Sequence, residues 1–156
     1  MAANTSLDYI DMHIYPIQGD LVVDRAIRIA ETARSHGKDA AIGEAWLYKL
    51  SSAELATEAG NWAKIYGRDA YSFWIPLDKA FLRTMVKLSH YLRLQFLSPF
   101  WMQYLYAYLD YGPTTSGLGY GEISKLVNQK TWTNIQANAL SPTGDFYRDL
   151  IAGEGL

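Results

Sequence analysis

The chain has 156 residues, a length that suits one domain with one sizeable core. Its formal net charge of -2 gives no indication of a basic surface that would bind nucleic acid. No apolar run in the sequence is long enough to span a membrane. The absence of cysteine excludes disulfides and thiolate metal sites and leaves the cellular compartment undetermined. Aromatic residues make up 14% of the chain, which favours stacking on flat ligands or sugar rings in addition to core packing.

The first 45 residues predict a strand, a helix and a second strand. Residues 7–15 are rich in Ile and Tyr, as strands are, and Pro16 and Gly19 then break the extended pattern. Apolar residues recur at helical spacing over 21–36. The short apolar run 39–45 is typical of a strand buried on both faces of a parallel sheet. Together these segments predict a right-handed βαβ unit.

The rest of the chain predicts more helices and one more strand. The predicted elements are helices at 52–65, 76–92, 120–139 and 142–151 and a strand at 94–101. Ser51 and Glu54 have the spacing of a capping box at the start of the first of these helices. The apolar stripe of the second consists of Leu77, Phe81, Met85, Leu88 and Leu92. Residues 68–76 are predicted as a loop or short turn, and 102–112 are ambiguous between extended chain and helix.

The order of these elements predicts the class of fold. Strands that alternate with helices indicate an α/β protein with a parallel sheet, here one domain over residues 1–156. Three strands leave two sheet edges with unpaired backbone groups. We therefore expect the chain to self-associate, as a homo-oligomer, or to form part of a larger fold.

Candidate functional side chains fall at the carboxyl ends of the predicted strands, where parallel α/β folds place their sites. His13 and Tyr15 end the first strand, Glu44 ends the second and Trp101 ends the third. Neighbouring parallel strands lie about 4.8 Å apart, so the Tyr15 hydroxyl is expected to reach the Glu44 carboxylate. That hydrogen bond would stabilise ionised Glu44 and fix its rotamer, as a carboxylate nucleophile or electrostatic stabiliser requires.

The motifs "DMHIYP" and "AIGEAW", followed by a strand that ends in "FW", resemble the last three strands of a clan A retaining glycoside hydrolase, a (β/α)8 barrel. The resemblance covers roughly residues 7–101. It implies that Glu44 is the nucleophile, that Tyr15 is its hydrogen-bond partner and that Trp101 is the platform under the sugar. His13 would contact the substrate or brace Tyr15, and the ligand would be a carbohydrate.

The chain departs from this family in one respect. A retaining enzyme needs a second carboxylate, the general acid/base, about 5 to 5.5 Å from the nucleophile. The family places it after an Asn, and the chain contains no Asn-Glu dipeptide. Asp8 and Asp11 precede His13, toward the wrong end of the strand, which leaves Asp110 as the one acid in reserve.

A complete (β/α)8 barrel needs about 200 residues or more. The fold expected from the resemblance is therefore a partial barrel, the C-terminal segment of a glycoside hydrolase, whose missing N-terminal part or partner completes the sheet. We expect negligible hydrolysis of natural polysaccharides by this chain alone.

Structural roles remain open for each candidate. Glu44 would then cap the next loop, His13 would be a hydrogen-bonded core or rim histidine and Trp101 a packing residue. Trp46 and Tyr48 follow Glu44 and either line a sugar subsite or anchor the loop. The rival function is a non-catalytic partial barrel that acts as a carbohydrate-binding or structural, self-associating module. No motif predicts a cofactor, a metal site or a nucleic-acid partner, and neither the sugar nor its linkage is determined.

Overall fold

The computed structural model describes residues 4–15 and 21–153, so that the predicted break at Pro16 and Gly19 lies outside the described residues. It divides into two compact units where the sequence predicts one domain. The first unit comprises Met1–Leu47 with Leu82–Phe100, and the second comprises Tyr48–Phe81 with Trp101–Leu156.

The described chain contains three strands and six α-helices. The elements are β1 (Tyr9–Ile14), α1 (Leu21–Ser35), β2 (Asp39–Ala45), α2 (Ser52–Glu58), α3 (Trp62–Asp69), α4 (Ile75–Leu92), β3 (Leu97–Pro99), α5 (Tyr120–Gln136) and α6 (Pro142–Ile151). Short 3-10 helices occupy Ser72–Trp74 and Met102–Leu105. No helix within this part of the chain is both long and apolar enough to cross a membrane. The predicted α/β class is confirmed.

The sheet belongs to the first unit and has the predicted arrangement. Its strand order is β1-β2-β3, and both pairs are parallel. Helix α1 packs on β1 and β2 and buries Val22, Ala26, Ala30 and Ala33. In β1, Met12 and Ile14 are buried while Asp11 and His13 are exposed, so that successive side chains alternate between a core face and an opposite face.

One residue of β2 interrupts the regular pairing with β1. Met12 pairs with Ile42 and His13 pairs with Glu44, so that Gly43 is an extra residue in β2. Such a bulge re-aims the side chains that follow it. Here it places Glu44 directly opposite His13.

The third strand is shorter than the predicted span of 94–101. Residue Pro99 lacks a backbone N–H, and Trp101 has a left-handed backbone with φ of 54°, so that extended pairing cannot continue. The flanking backbone is still bonded to the sheet, because the Phe100 N–H donates to Ala45 O at 3.0 Å.

The predicted helix over 52–65 is wrong as a single element, because it is split into α2 and α3. The capping box at Ser51 and Glu54 is present as predicted. A second cap follows: the Asn61 side chain accepts a hydrogen bond from the Lys64 N–H at 3.2 Å and begins α3. An internal asparagine that caps a new helix favours two short helices over one.

Ion pairs join the two short helices, and they make the stability of the folded protein depend on pH in the acid range. Glu54 accepts hydrogen bonds from Arg68 at 2.5 Å and from the Ser51 N–H at 3.0 Å, and the Arg68 bond holds its pKa well below the usual 4.5. The folded state therefore binds this proton less tightly than the unfolded state. The resulting stability is present above pH 4.5 and is lost as the pH falls through the folded-state pKa.

We expect the Tm of wild type to exceed that of Glu54→Gln near neutral pH, and the difference to shrink in acid. Circular dichroism melts between about pH 2 and 7 measure this difference. Glu31→Gln, which changes an exposed carboxylate of α1, is the control. A Tm difference between wild type and Glu54→Gln that stayed constant over the whole range would contradict the ion-pair origin.

The second unit contains a buried charged cluster that the sequence patterns did not predict. Lys49 Nζ lies 3.2 Å from Asp69 Oδ1 and 2.6 Å from Asp78 Oδ1, and all three side chains are buried. Burial raises the pKa of Asp78, and Lys49 opposes that rise. The Tyr108 hydroxyl donates to Asp78 Oδ2 at 2.8 Å and lies 3.0 Å from the Thr143 hydroxyl. Two buried carboxylates therefore share the ammonium group of Lys49.

This cluster corrects the predicted stripe of α4 at one point. Leu77, which the spacing placed in the stripe, is exposed, and Asp78 is buried instead. The buried apolar residues of the helix are Phe81, Leu82, Met85, Val86, Leu88 and Leu92.

Candidate active site

A carboxylate and a tyrosine hydroxyl meet at the carboxyl end of the sheet, within the first unit. The Tyr15 hydroxyl donates to Glu44 Oε2 at 3.0 Å. The predicted contact between the ends of β1 and β2 is therefore confirmed. The Tyr15 ring also makes an edge contact with Phe100, with ring centroids 5.9 Å apart, which restricts its orientation.

His13 joins two carboxylates in the same cluster. Its Nδ1 lies 3.2 Å from Glu44 Oε2, and its Nε2 lies 3.3 Å from Asp11 Oδ2. Tyr15 and His13 thus approach the same oxygen of Glu44. Within the described residues, no hydrogen bond or ion pair engages the other oxygen, Oε1. The carboxylate is therefore held on one side only.

The bulge explains why these groups converge. Because Gly43 is an extra residue, Glu44 pairs with His13 and shares the face of the sheet on which Asp11 and His13 are exposed. A regular strand would put residue 43 opposite His13 and turn residue 44 toward the core face. The glycine within the strand was the available signal, since glycine inside a strand often marks a bulge.

The cluster is open to solvent rather than part of the core. The exposed fractions of the side chains are 54% for His13, 40% for Asp11 and 35% for Glu44. Since about a third of the Glu44 side chain is exposed, a ligand can reach this residue, and a carboxylate held by one hydrogen bond and open to solvent can act as a nucleophile.

Trp46 does not offer the sugar-stacking face that was one of its two expected roles. It is fully buried and belongs to the core. An indole without exposed surface cannot stack on a sugar ring in this conformation. The tryptophan therefore anchors the chain where it leaves β2, which was the other expected role. Its neighbour Tyr48 belongs to the second unit, where its ring meets the edge of Trp62.

Trp101, the expected sugar platform, belongs to the second unit and is partly exposed. Its ring is tilted against Tyr66, with centroids 4.4 Å apart. Both rings line a cavity of about 130 Å³, together with Tyr104 and Tyr120. This volume is below the roughly 300 Å³ at which typical small-molecule sites begin.

The sequence patterns missed Asp11 as a member of the cluster and held Asp110 in reserve instead. Asp110 lies in the second unit, where it accepts a hydrogen bond from the Ser72 hydroxyl at 2.8 Å. Asp11 was set aside because it precedes His13 in the strand. Its side chain nevertheless reaches the His13 ring. The described part of the chain contains no group of three or more His, Asp or Glu side chains arranged to hold a metal ion.

No protein-family model matches this chain, and no curated protein and no solved structure matches it either. The assignment of a function therefore depends on the chemistry of the cluster itself.

Proposed function

We propose that this chain carries the nucleophile of a retaining glycoside hydrolase and that Glu44 is that nucleophile. The observation that carries the proposal is that Tyr15 and His13 both contact the same oxygen of the Glu44 carboxylate, Oε2. The Tyr15 hydrogen bond fixes the rotamer of the carboxylate, and Oε1 is then the oxygen that attacks an anomeric carbon.

The surroundings of Glu44 support the same proposal. The cluster lies at the carboxyl ends of parallel strands, the usual position of sites in parallel α/β folds. The three strands would correspond to the last three strands of a (β/α)8 barrel in the resemblance described above.

The general acid/base is, in this proposal, supplied from outside the cluster. A retaining mechanism needs a second carboxyl group to protonate the leaving oxygen and later to activate water. The other carboxylate of the cluster, Asp11, already accepts a hydrogen bond from the Gly43 N–H and lies against His13. The nucleophile can therefore be tested separately, with a substrate whose leaving group needs no proton.

The test uses a panel of dinitrophenyl 2-deoxy-2-fluoro-β-glycosides with different sugars. Glu44 Oε1 forms a bond to the anomeric carbon, the bond from that carbon to the phenolate oxygen breaks, and the phenolate leaves without protonation. We expect the fluoroglycosyl mass on the intact protein, mapped to Glu44 by peptide mass spectrometry, and no label on Glu44→Gln. Tyr15→Phe should slow labelling about 100-fold, because one donor to the carboxylate is lost.

Glu31→Gln, in α1 of the same unit, is the matched control and should label at the wild-type rate. A label on another residue, or an unlabelled wild type with every sugar of the panel, would count against Glu44 as nucleophile. Saturable glycan binding without any label would favour the rival function of a non-catalytic carbohydrate-binding module.

A further inference from the structure

The second unit contains a cavity of about 290 Å³, and every residue that lines it belongs to this unit. Its walls include residues of segment 106–110, of helix α5 and of the chain at the start of α6. Its volume is close to the roughly 300 Å³ at which typical small-molecule sites begin. We call this cavity the Asp110 pocket, after one of the residues that line it.

The lining of the Asp110 pocket combines apolar and charged side chains. Its charged residues are Asp110 and Lys130. Its small or aliphatic residues are Ile75, Ala107, Leu140 and Pro142. An apolar surface with a few polar groups that fix the orientation of the ligand is the usual composition of a small-molecule site.

The two charges of the pocket are opposite in sign and are not paired with each other. None of the ion pairs among the described residues includes Asp110 or Lys130, and both residues are exposed. A ligand with a single charge would be attracted by one of these groups and repelled by the other. A ligand that carries both charges is attracted by both groups, so the pocket is complementary to a zwitterion.

Hydrogen bonds hold both charged groups and leave each of them with unused capacity. The Ser72 hydroxyl donates to Asp110 Oδ1 at 2.8 Å, and no hydrogen bond within the described residues engages Oδ2. Lys130 Nζ donates to the Tyr108 carbonyl oxygen at 2.8 Å. Because an ammonium group has three donors, Lys130 keeps two of them for a ligand.

We propose that the Asp110 pocket binds a small zwitterion, an apolar α-amino acid of the size of leucine. Asp110 accepts a hydrogen bond from the ammonium group of the ligand through Oδ2, and Lys130 donates to the carboxylate of the ligand. The apolar side chain of the ligand packs on Ile75 and Leu140. The proposal uses no residue of the cluster around Glu44 and is independent of the proposed function.

Isothermal titration calorimetry of the full-length chain with leucine tests this proposal. We expect saturable binding, with amide NMR signals that shift in residues 106–110 and 130–134. Two analogues of leucine each lack one charge: 4-methylpentanoate has no ammonium group, and 3-methylbutylamine has no carboxylate. Each analogue should bind at least about tenfold more weakly than leucine, because one hydrogen bond between charged groups is lost.

Two variants test the groups that are assigned to the ligand. Asp110→Asn keeps an oxygen that can accept from Ser72 but removes the charge, and Lys130→Met removes the ammonium group. We expect each variant to bind leucine at least about tenfold more weakly than wild type. Lys125→Met, which changes another exposed lysine of α5, is the matched control and should bind leucine as tightly as wild type.

The absence of saturable leucine binding to wild type would overturn the proposal. An analogue that bound as tightly as leucine would overturn it as well, and so would wild-type affinity in either Asp110→Asn or Lys130→Met. The two analogues are measured on wild type, so they decide the assignment even if Lys130→Met does not fold.

Discussion

Replacement of Lys49 by methionine is expected to destabilise the protein by about 3–5 kcal/mol, the usual cost of removing one partner from a buried ion pair. Two buried carboxylates, Asp69 and Asp78, would lose the ammonium group they share. Folding would then require at least one of them to be protonated, or both charges to remain buried without this counter-charge, although Asp78 would keep its hydrogen bond from the Tyr108 hydroxyl. Urea unfolding monitored by circular dichroism measures the loss.

Lys64→Met is the matched control for this substitution. Lys64 also pairs with two carboxylates, Glu54 at 3.4 Å and Glu58 at 3.0 Å, but its side chain is partly exposed. We expect this variant to lose much less stability than Lys49→Met, because ion pairs between exposed side chains contribute little. The addition of Asp78→Asn to Lys49→Met should recover part of the loss, because one uncompensated charge is removed. Equal costs for Lys49→Met and Lys64→Met would show that burial does not set the energy of the cluster.

Gly144→Ala is expected to cost about 3 kcal/mol, because the added methyl group has no space. Gly144 lies in the first turn of α6, where its N–H donates to Ser141 Oγ at 3.1 Å. A Cβ atom there would overlap the Leu105 carbonyl group and would lie 3.1 Å from Leu140 Cβ. The start of α6 would have to move away from the 3-10 helix at Met102–Leu105.

Gly121→Ala provides the comparison for this effect. Gly121 lies in the first turn of α5, and a Cβ atom there would meet nothing within 4 Å. We expect this variant to be neutral or to gain about 0.5–1 kcal/mol, since alanine favours the helix. The same urea unfolding curves measure both variants. If Gly144→Ala were as stable as Gly121→Ala, the close packing of α6 would be disproved.

Two elements of the first unit, α1 and β2, were predictable because their patterns are strong. Helix α1 shows a clean helical period, and β2 is a short apolar run, so that their bounds agree with the prediction within about a residue. The nearness of Tyr15 and Glu44 followed from strand spacing, once the strands were taken as parallel and adjacent. The face of the sheet on which Glu44 lies depends in addition on the bulge at Gly43, which strand spacing does not encode.

Other features depended on contacts that no local pattern encodes. The split between α2 and α3 depends on whether the Asn61 side chain caps a new helix or points to solvent. The burial of Lys49 depends on Asp69 and Asp78, which are 20 and 29 residues away in the chain. The clue was a charged residue, Asp78, at helical spacing from the buried Leu82, which favours either an interrupted stripe or a buried ion pair.

The bulge at Gly43 has a consequence for how such a site can be recognised in other sequences. The face on which the Glu44 carboxylate lies is specified by its neighbour, which carries no side chain. A sequence search that required only the acidic residue would accept chains in which the equivalent glutamate faces the core. Such a search would ignore the adjacent glycine. The pattern to search for has three parts. They are a glycine that is the extra residue of a bulge, the acidic residue that follows it, and an aspartate on the neighbouring strand two residues before the histidine.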